Sequence, residues 1–202
     1  MRAGVIVAGG RSTRFEGGDK ATADLAGTPM VRRVADRLVS VGELVVNCRP
    51  DQREAIAAAL DGVSPSPAFA EDEVPDRGPV AGMAAGLAAV DAEYAAVVAC
   101  DMPFLDPDLL EVLFERAAGT DGAVPRVEGH RQPLQAVYRT EAALAACQAV
   151  LGRGEGSLGA VLDTLEPAIL GPEEVRRHAD PGSFRNLNTR AALEAATAAF
   201  EE

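Results

Sequence analysis

The chain has 202 residues and a formal net charge of −12, with 48% hydrophobic and 25% charged side chains. That is long enough for one large domain, taken here as residues 1–202, and too acidic for a nucleic-acid polymer as partner, since such proteins carry a basic footprint. No run approaches the roughly 18 apolar residues that span a bilayer, and no signal-peptide core precedes a cleavage site, so a cytoplasmic protein with no membrane association is expected.

Strand and helix patterns alternate along the chain. Ala3 to Ala8 reads as an apolar strand, Met30 to Val41 as an amphipathic helix, Leu44 to Asn47 as a short strand and Gln52 to Leu60 as a helix. A loop rich in proline and acids follows, VSPSPAFAEDEVPDRGP. Val80 to Val90 predicts a helix of small residues, and Tyr94 to Cys100 a fully apolar strand that ends in Asp101. Pro107 to Ala118 predicts a helix capped by Asp106. Strands are expected at Gly122 to Pro125 and Leu134 to Tyr138, and helices at Glu141 to Leu151, Leu158 to Thr164 and Ala191 to Phe200. This alternation argues an α/β fold, a mainly parallel sheet with helices on both faces. Cys48, Cys100 and Cys147 form no CxxC pair and read as buried small hydrophobes rather than as a disulfide or zinc set.

Parallel sheets bind ligands beyond the carboxyl ends of their strands. Gly9 and Gly10 follow the first strand, Asn47 ends the second, and Asp101 ends the apolar strand YAAVVAC, so three strand ends converge on one crevice. The loop VAGGRSTRFEGGDK behind the first strand supplies backbone N–H groups as an anion cradle, with Arg14 as a fork and Lys20 as a mobile point charge. Lys20 is the only lysine among 19 basic residues. In a chain so biased to arginine, a compact ammonium at this position is a chosen feature. A P-loop is excluded, because Asp19 separates Gly18 from Lys20, and the G-x-G-x-x-G dinucleotide fingerprint is missing. Asp101, after an apolar strand and before Met102 and Pro103, fits an oxygen ligand for Mg²⁺ at the crevice. Taken singly, the glycines could make a surface turn and Asp101 a capping or turn aspartate; together, magnesium and phosphate donors point to nucleotide chemistry.

At five places, in order and over nearly the whole chain, the sequence resembles the molybdenum cofactor guanylyltransferases, within the sugar-phosphate-type nucleotidyltransferases. VAGGRSTRFEGGDK stands beside that family's LAGGxSxRMGxDK, Gly78-Pro79-Val80-Ala81-Gly82 beside GPLAG, and Cys100 to Phe104 beside CDMPF. QPLQAVYR stands beside HPLFALY, and FRNLNT beside F-x-N-x-NT. The resemblance implies a Rossmann-like three-layer α/β/α fold of the nucleotide-diphospho-sugar-transferase type. It further implies transfer of GMP from GTP to the terminal phosphate of molybdopterin with release of pyrophosphate, dependent on Mg²⁺, with transient contact to molybdoenzymes or their chaperones. The N-terminal half would hold GTP and the metal, and the C-terminal half the acceptor.

Carried over by position, Val7, Ala8, Gly9 and Gly10 would line the guanine and ribose side, with Asn47 and Asp72 as polar contacts around the nucleoside. Arg14 and Lys20 would hold the β- and γ-phosphates, Asp101 would bind Mg²⁺ bridging them, and Asn186 and Asn188 would lie near the metal and the acceptor. For the two asparagines the alternative is a cap on the final helix. Two positions depart from the family: Glu16 stands where glycine is usual, and Gln132 where histidine is common before Pro-Leu. These departures bear on acceptor identity, and so does the segment GRGEGSL, whose Arg153 and Ser157 would either face the pterin or form a solvated turn. The rival readings are a related enzyme using CTP with molybdopterin or GTP with a cobinamide phosphate, and a noncatalytic GTP-binding regulator.

Overall fold

The computed structural model describes residues 1–10, 15, 18–71 and 78–201. Its framework is one sheet. The strands are β1 (Arg2–Val7), β4 (Glu43–Cys48), β5 (Ala68–Glu71), β6 (Tyr94–Ala99), β7 (Gly122–Val127), β9 (Gln135–Arg139) and β10 (Ala168–Leu170), in the order β10-β7-β9-β6-β1-β4-β5. The short β8 (His130–Arg131) pairs with β7, and β2 (Asp24–Leu25) with β3 (Thr28–Pro29) forms a separate hairpin. The run β6-β1-β4-β5 is parallel, as is β10 with β7. β9 runs antiparallel to both its neighbours. The mainly parallel sheet expected from the alternation is therefore interrupted at β9, and the short β8 adds a further antiparallel pair to β7.

Alternation along the central strands explains the layers. Successive side chains of a strand point to opposite faces. Ile6, Val46 and Val98 join one buried cluster, and Val5, Val45 and Val97 another. The first cluster is covered by α1 (Met30–Ala35), α2 (Arg53–Ala59), α4 (Pro107–Ala117) and α7 (Pro172–Val175). The second is covered by α3 (Gly78–Ala88), α5 (Thr140–Gly152) and α6 (Leu158–Leu162). Each fully buried leucine or valine contributes about 1.5–3 kcal/mol, so both faces of the sheet drive the fold. A third, smaller cluster joins Phe15, Leu25 and Met30 to Leu187, Leu193 and Ala196, and so docks α8 (Arg190–Glu201) near the hairpin.

Local chemistry sets the element ends. Asp106 caps α4 by accepting from the Asp108 N–H at 2.9 Å, with Pro107 at the first helical position, a combination worth about 1 kcal/mol. The helix expected to reach Val41 stops at Ala35. Arg37 and Leu38 continue in tighter turns, donating to Val34 and Ala35 carbonyls three residues back, and Leu38 and Val41 still reach the core. Burial there outlasts the helix, which is why the apolar spacing ran on. β5 falls inside the stretch expected to be a loop. The cysteines are all buried and free.

α3 lies unusually close to the sheet. A Cβ on Gly82 would collide with Asn47 Oδ1 and come within 3.1 Å of Val7 Cγ1, while one on Gly86 would collide with Val5 Cγ1. These two glycines, one turn apart, let the helix backbone rest on β1 and β4.

Candidate active site

A cleft of about 530 Å³ opens beyond the carboxyl ends of β1, β4 and β6. Val7, Ala8, Gly9 and Gly10 line it from the first strand, Asn47 from the second, and Cys100, Asp101 and Met102 from β6. The convergence of strand ends expected from the apolar runs is thus what the fold produces. Lys20, Asn186 and Asn188 complete this side, and Gln132, Pro133, Leu134 and Leu158 face it from across the cleft.

Lys20 stands at the centre of the polar contacts. Its Nζ donates to Asp101 Oδ2 at 2.6 Å and to Asn188 Oδ1 at 3.2 Å. Both charged groups are largely withdrawn from water, with side-chain exposures of 19% for Lys20 and 10% for Asp101. An ion pair so shielded feels a lower effective dielectric than one on the surface, so removing either partner leaves a charge that water only partly solvates. The second carboxylate oxygen, Asp101 Oδ1, is buried and has no hydrogen-bond partner among the described residues. An acceptor in that condition fits a cation that takes oxygen ligands and fills its remaining positions with water and phosphate. No group of three or more His, Cys, Asp or Glu side chains suited to a metal occurs among the described residues.

The late asparagines reach the cleft through a backbone clip. The Leu187 N–H donates to the Asp101 carbonyl at 2.9 Å, and the Leu187 side chain is buried with Phe15 and Leu25. With Leu187 anchored on one side, its two neighbours turn to the other, into the cleft. The helix α8 takes its cap from Thr189, whose Oγ1 accepts from the Ala192 N–H at 3.2 Å. Asn188 is therefore a partner of Lys20, and the capping alternative belongs to the threonine. Asn47 donates through Nδ2 to the Ala70 carbonyl at 3.2 Å, which ties the cleft to the edge strand β5.

Arg14 and Asp72 lie outside the described residues. Ser157 caps α6, accepting from the Gly159 N–H at 3.2 Å, and Arg153 pairs with Glu155 at 3.0 Å. Neither lines the cleft; Leu158 beside them does. Burial first, and then the Asp101 carboxylate, pushes the Cys100 thiol up to about 12. It is neutral near pH 7 and is not a nucleophile. Neither His130 nor His178 lines the cleft.

Sequence reasoning passed over Arg49 and Gln52. Arg49 Nη1 donates to the carbonyls of Gly9 at 3.3 Å and Gly10 at 2.6 Å, and Gln52 Nε2 to that of Ala8 at 3.0 Å. The only signal was an arginine placed two residues past Asn47, the strand end that already faced the crevice.

A glycine turn, an ammonium and a strand-end carboxylate brought together at the carboxyl edge of a three-layer sheet make up the working crevice of a nucleotidyltransferase. The MobA-like NTP transferase domain matches residues 4–168, and the chain belongs to this family. It is 52% identical over 196 residues to a probable molybdenum cofactor guanylyltransferase of Natronomonas pharaonis, an alignment spanning 96% of each protein. To the protein of the same description from Haloferax mediterranei it is 45% identical, over 93% of this chain and 89% of that one. Among solved structures, molybdopterin-guanine dinucleotide biosynthesis protein A of Archaeoglobus fulgidus superposes with a TM-score of 0.80 at 24% identity. That alignment covers 100% of this chain and 99% of the other, and shows the shared fold.

Proposed function

We propose that the protein transfers GMP from GTP to the terminal phosphate of molybdopterin, releasing pyrophosphate and forming the guanine dinucleotide of the cofactor. The observation that carries this reading is the contact of the chain's only lysine with Asp101 and Asn188 in the cleft. It rests also on family membership and on relatives whose names state that activity. In this reading the whole chain acts as one unit. Val7 to Gly10 and Asn47 take the nucleoside side, Lys20 the phosphates, and Asn186 and Asn188 the boundary with the acceptor. Arg14 and Asp72 are assigned to the phosphates and the nucleoside on sequence alone.

Charge dictates the chemistry. A phosphate oxygen attacks the α-phosphorus of GTP in line, and pyrophosphate leaves. The nucleophile is already ionised near neutral pH, so no side chain has to remove a proton, in keeping with a cleft that neither histidine lines. Both reactants are anions, so catalysis consists of positioning and neutralisation. Lys20 offers a cation that moves on a flexible stem from the Asp101 carboxylate to a phosphate oxygen. Asp101 would hold the divalent ion, Mg²⁺ in this reading, which when bound neutralises phosphate charge. Discrimination for guanine would rest on hydrogen bonds to the base edge, because a site with buried polar groups rejects a base that leaves them unpaired.

The test is incubation of the protein with Mg²⁺, molybdopterin and each nucleoside triphosphate in turn, with mass detection of the product. The dinucleotide should form with GTP. Equal turnover of all four triphosphates, or product only with CTP, would overturn the assignment, and transfer to a cobinamide phosphate in preference to molybdopterin would move the acceptor. A cytoplasmic location accords with the reading, and no described helix is long and apolar enough to cross a membrane.

A further inference from the structure

Outside the cleft, on the other side of the glycine turn, Arg49 and Gln52 border a separate cavity of about 260 Å³ with Asp19, Thr22 and Asp51. Neither residue touches the cleft. We propose that they are positioning residues for nucleotidyl transfer, which aim the Gly9 and Gly10 amides and the Lys20 side chain from behind. The inference rests on the reading of the cleft as a nucleoside triphosphate site.

In a trans peptide the C=O of one residue and the N–H of the next point in opposite directions. The Ala8 carbonyl accepts from Gln52 Nε2 and the Gly9 carbonyl from Arg49 Nη1, so the N–H groups of Gly9 and Gly10 point away from these side chains, toward the cleft that both glycines line. The Gly10 carbonyl, accepting from the same Nη1 at 2.6 Å, is drawn outward as well. With the acceptors turned away, the surface offered to an anion is made of donors. Without these bonds the glycine peptides are free to rotate, because glycine has no steric preference that would hold them.

The same two side chains fix the return of the loop. Asp19 Oδ2 accepts from Gln52 Nε2 and from Arg49 Nη2, the latter at 3.5 Å, while Asp19 Oδ1 accepts from the Ala21 N–H at 2.8 Å. Asp19 is thereby held from both sides, one residue before the lysine that enters the cleft. Gln52 is 3% exposed, and its Oε1 accepts from the Arg49 N–H at 2.9 Å, so its amide has one workable orientation. A glutamate there would set a carboxylate against the Ala8 carbonyl and Asp19. The Arg49 guanidinium also donates to both Asp51 oxygens, at 3.0 and 3.1 Å, and this pairing holds it above its ordinary pKa. It stays charged, and its fork is occupied on every side.

The experiment compares wild type with Arg49→Ala, Arg49→Lys and Gln52→Leu by calorimetric binding of GTP with Mg²⁺, steady-state kinetics, melting temperature and hydrogen exchange. For Arg49→Ala, kcat should fall on the order of 10²-fold, the size expected when phosphate donors lose their aim. Melting should stay close to that of wild type, and exchange in the nucleotide-free protein should rise at Gly9, Gly10 and Lys20 rather than throughout. Added guanidinium should restore part of the Arg49→Ala rate and none of the Asp101→Asn rate. Arg49→Lys should recover little, since an ammonium cannot reach two carbonyls and two carboxylates together. Gln52→Leu should repeat the pattern and covers the case in which Arg49→Ala does not fold. Kinetics within twofold of wild type, or a loss of rate that tracks a global fall in melting temperature without guanidinium rescue, would overturn the inference. If wild type itself binds no GTP, the functional reading fails and takes the inference with it; if wild type binds GTP and the variants match it, the inference alone fails.

Discussion

On the wall of the cleft built from β1, β4 and β6, the side chains of Lys20, Asp101, Asn188 and Asn47 are each held by at least one bond. Lys20 is bonded to Asp101 and Asn188, and Asn47 to the Ala70 carbonyl. Across the cleft, the wall of Gln132, Pro133, Leu134 and Leu158 has a different character. Gln132 makes a 3.4 Å bond to the His130 carbonyl, and the nearby charges pair with one another away from the opening, Arg131 with Asp163 at 2.6 Å and Arg153 with Glu155. One wall is a set of directional bonds, the other mostly a shape. A triphosphate and its metal need fixed charges in fixed places, whereas an acceptor wall selects by fit. Substitutions on the two walls should therefore fail in different ways.

The largest effect is expected at Asp101. Asp101→Asn keeps the volume and removes the charge, so Mg²⁺-dependent turnover should fall by on the order of 10³-fold while GTP still binds weakly. Titration of Mg²⁺ against rate for the two proteins checks it: superimposable activation curves would place the metal elsewhere, with Asp72 next in line. Lys20→Ala should follow, with a loss of about 10²–10³ in rate. Because Asp101 is only 7% exposed, this variant also leaves a shielded carboxylate without its cation, and melting should drop with the rate. Kinetics like those of wild type would remove Lys20 from the site.

Gly82→Ala probes the same wall from beneath. The added methyl would displace Asn47 or lift α3 from the sheet, so KM for GTP should rise several-fold and stability should fall by about 1–3 kcal/mol. A thermal melt paired with GTP titration reads both, and unchanged GTP affinity would break the link between helix packing and the nucleoside side. On the opposite wall, Leu158→Ala should raise KM for the acceptor several-fold and leave KM for GTP alone, since a contact removed from a mainly apolar pocket changes affinity by about 1–3 kcal/mol at most. An equal change in both constants would erase the contrast between the walls.

The smallest effect near neutrality concerns two buried thiols, Cys100 and Cys147. Burial raises both Cys100 and Cys147 from 9.0 to about 12, so near neutral pH they are protonated whether the chain is folded or not, and they contribute little pH dependence there. Between pH 9 and 12 the unfolded chain releases protons that the folded chain keeps, and stability should fall as pH rises through that window. Melting temperatures across it provide the check. Replacing both cysteines with alanine should make the fall shallower, with the remainder due to the buried Tyr138 phenol, which burial also pushes up.

Much of the wall built from β1, β4 and β6 was legible because its elements announce themselves in side chains. Apolar runs that end abruptly in Gly9, Asn47 and Asp101 place those residues at strand ends, and parallel strands put such ends on one edge. The strand orientation at β9 was not legible, because a fully buried strand has the same composition in either direction. β5 was hidden for a related reason. It joins the sheet through the main-chain pairing of Ala68 to Glu71 with β4, and its side chains are half-buried or exposed, which leaves no alternating pattern. Arg49 and Gln52 escaped because they act on carbonyl oxygens, and carbonyl positions are written nowhere in the sequence.

The contact of Lys20 with Asn188 closes a chain segment of 168 residues, nearly twice the separation between the paired strands β1 and β6. Such distant closures come late when a chain folds, because loop entropy must be overcome before they stabilise anything. A partly folded molecule can thus possess its sheet and its first cradle and still be inert. Regain of catalysis after dilution from denaturant should lag the regain of secondary structure, with GTP marking only the molecules that have finished.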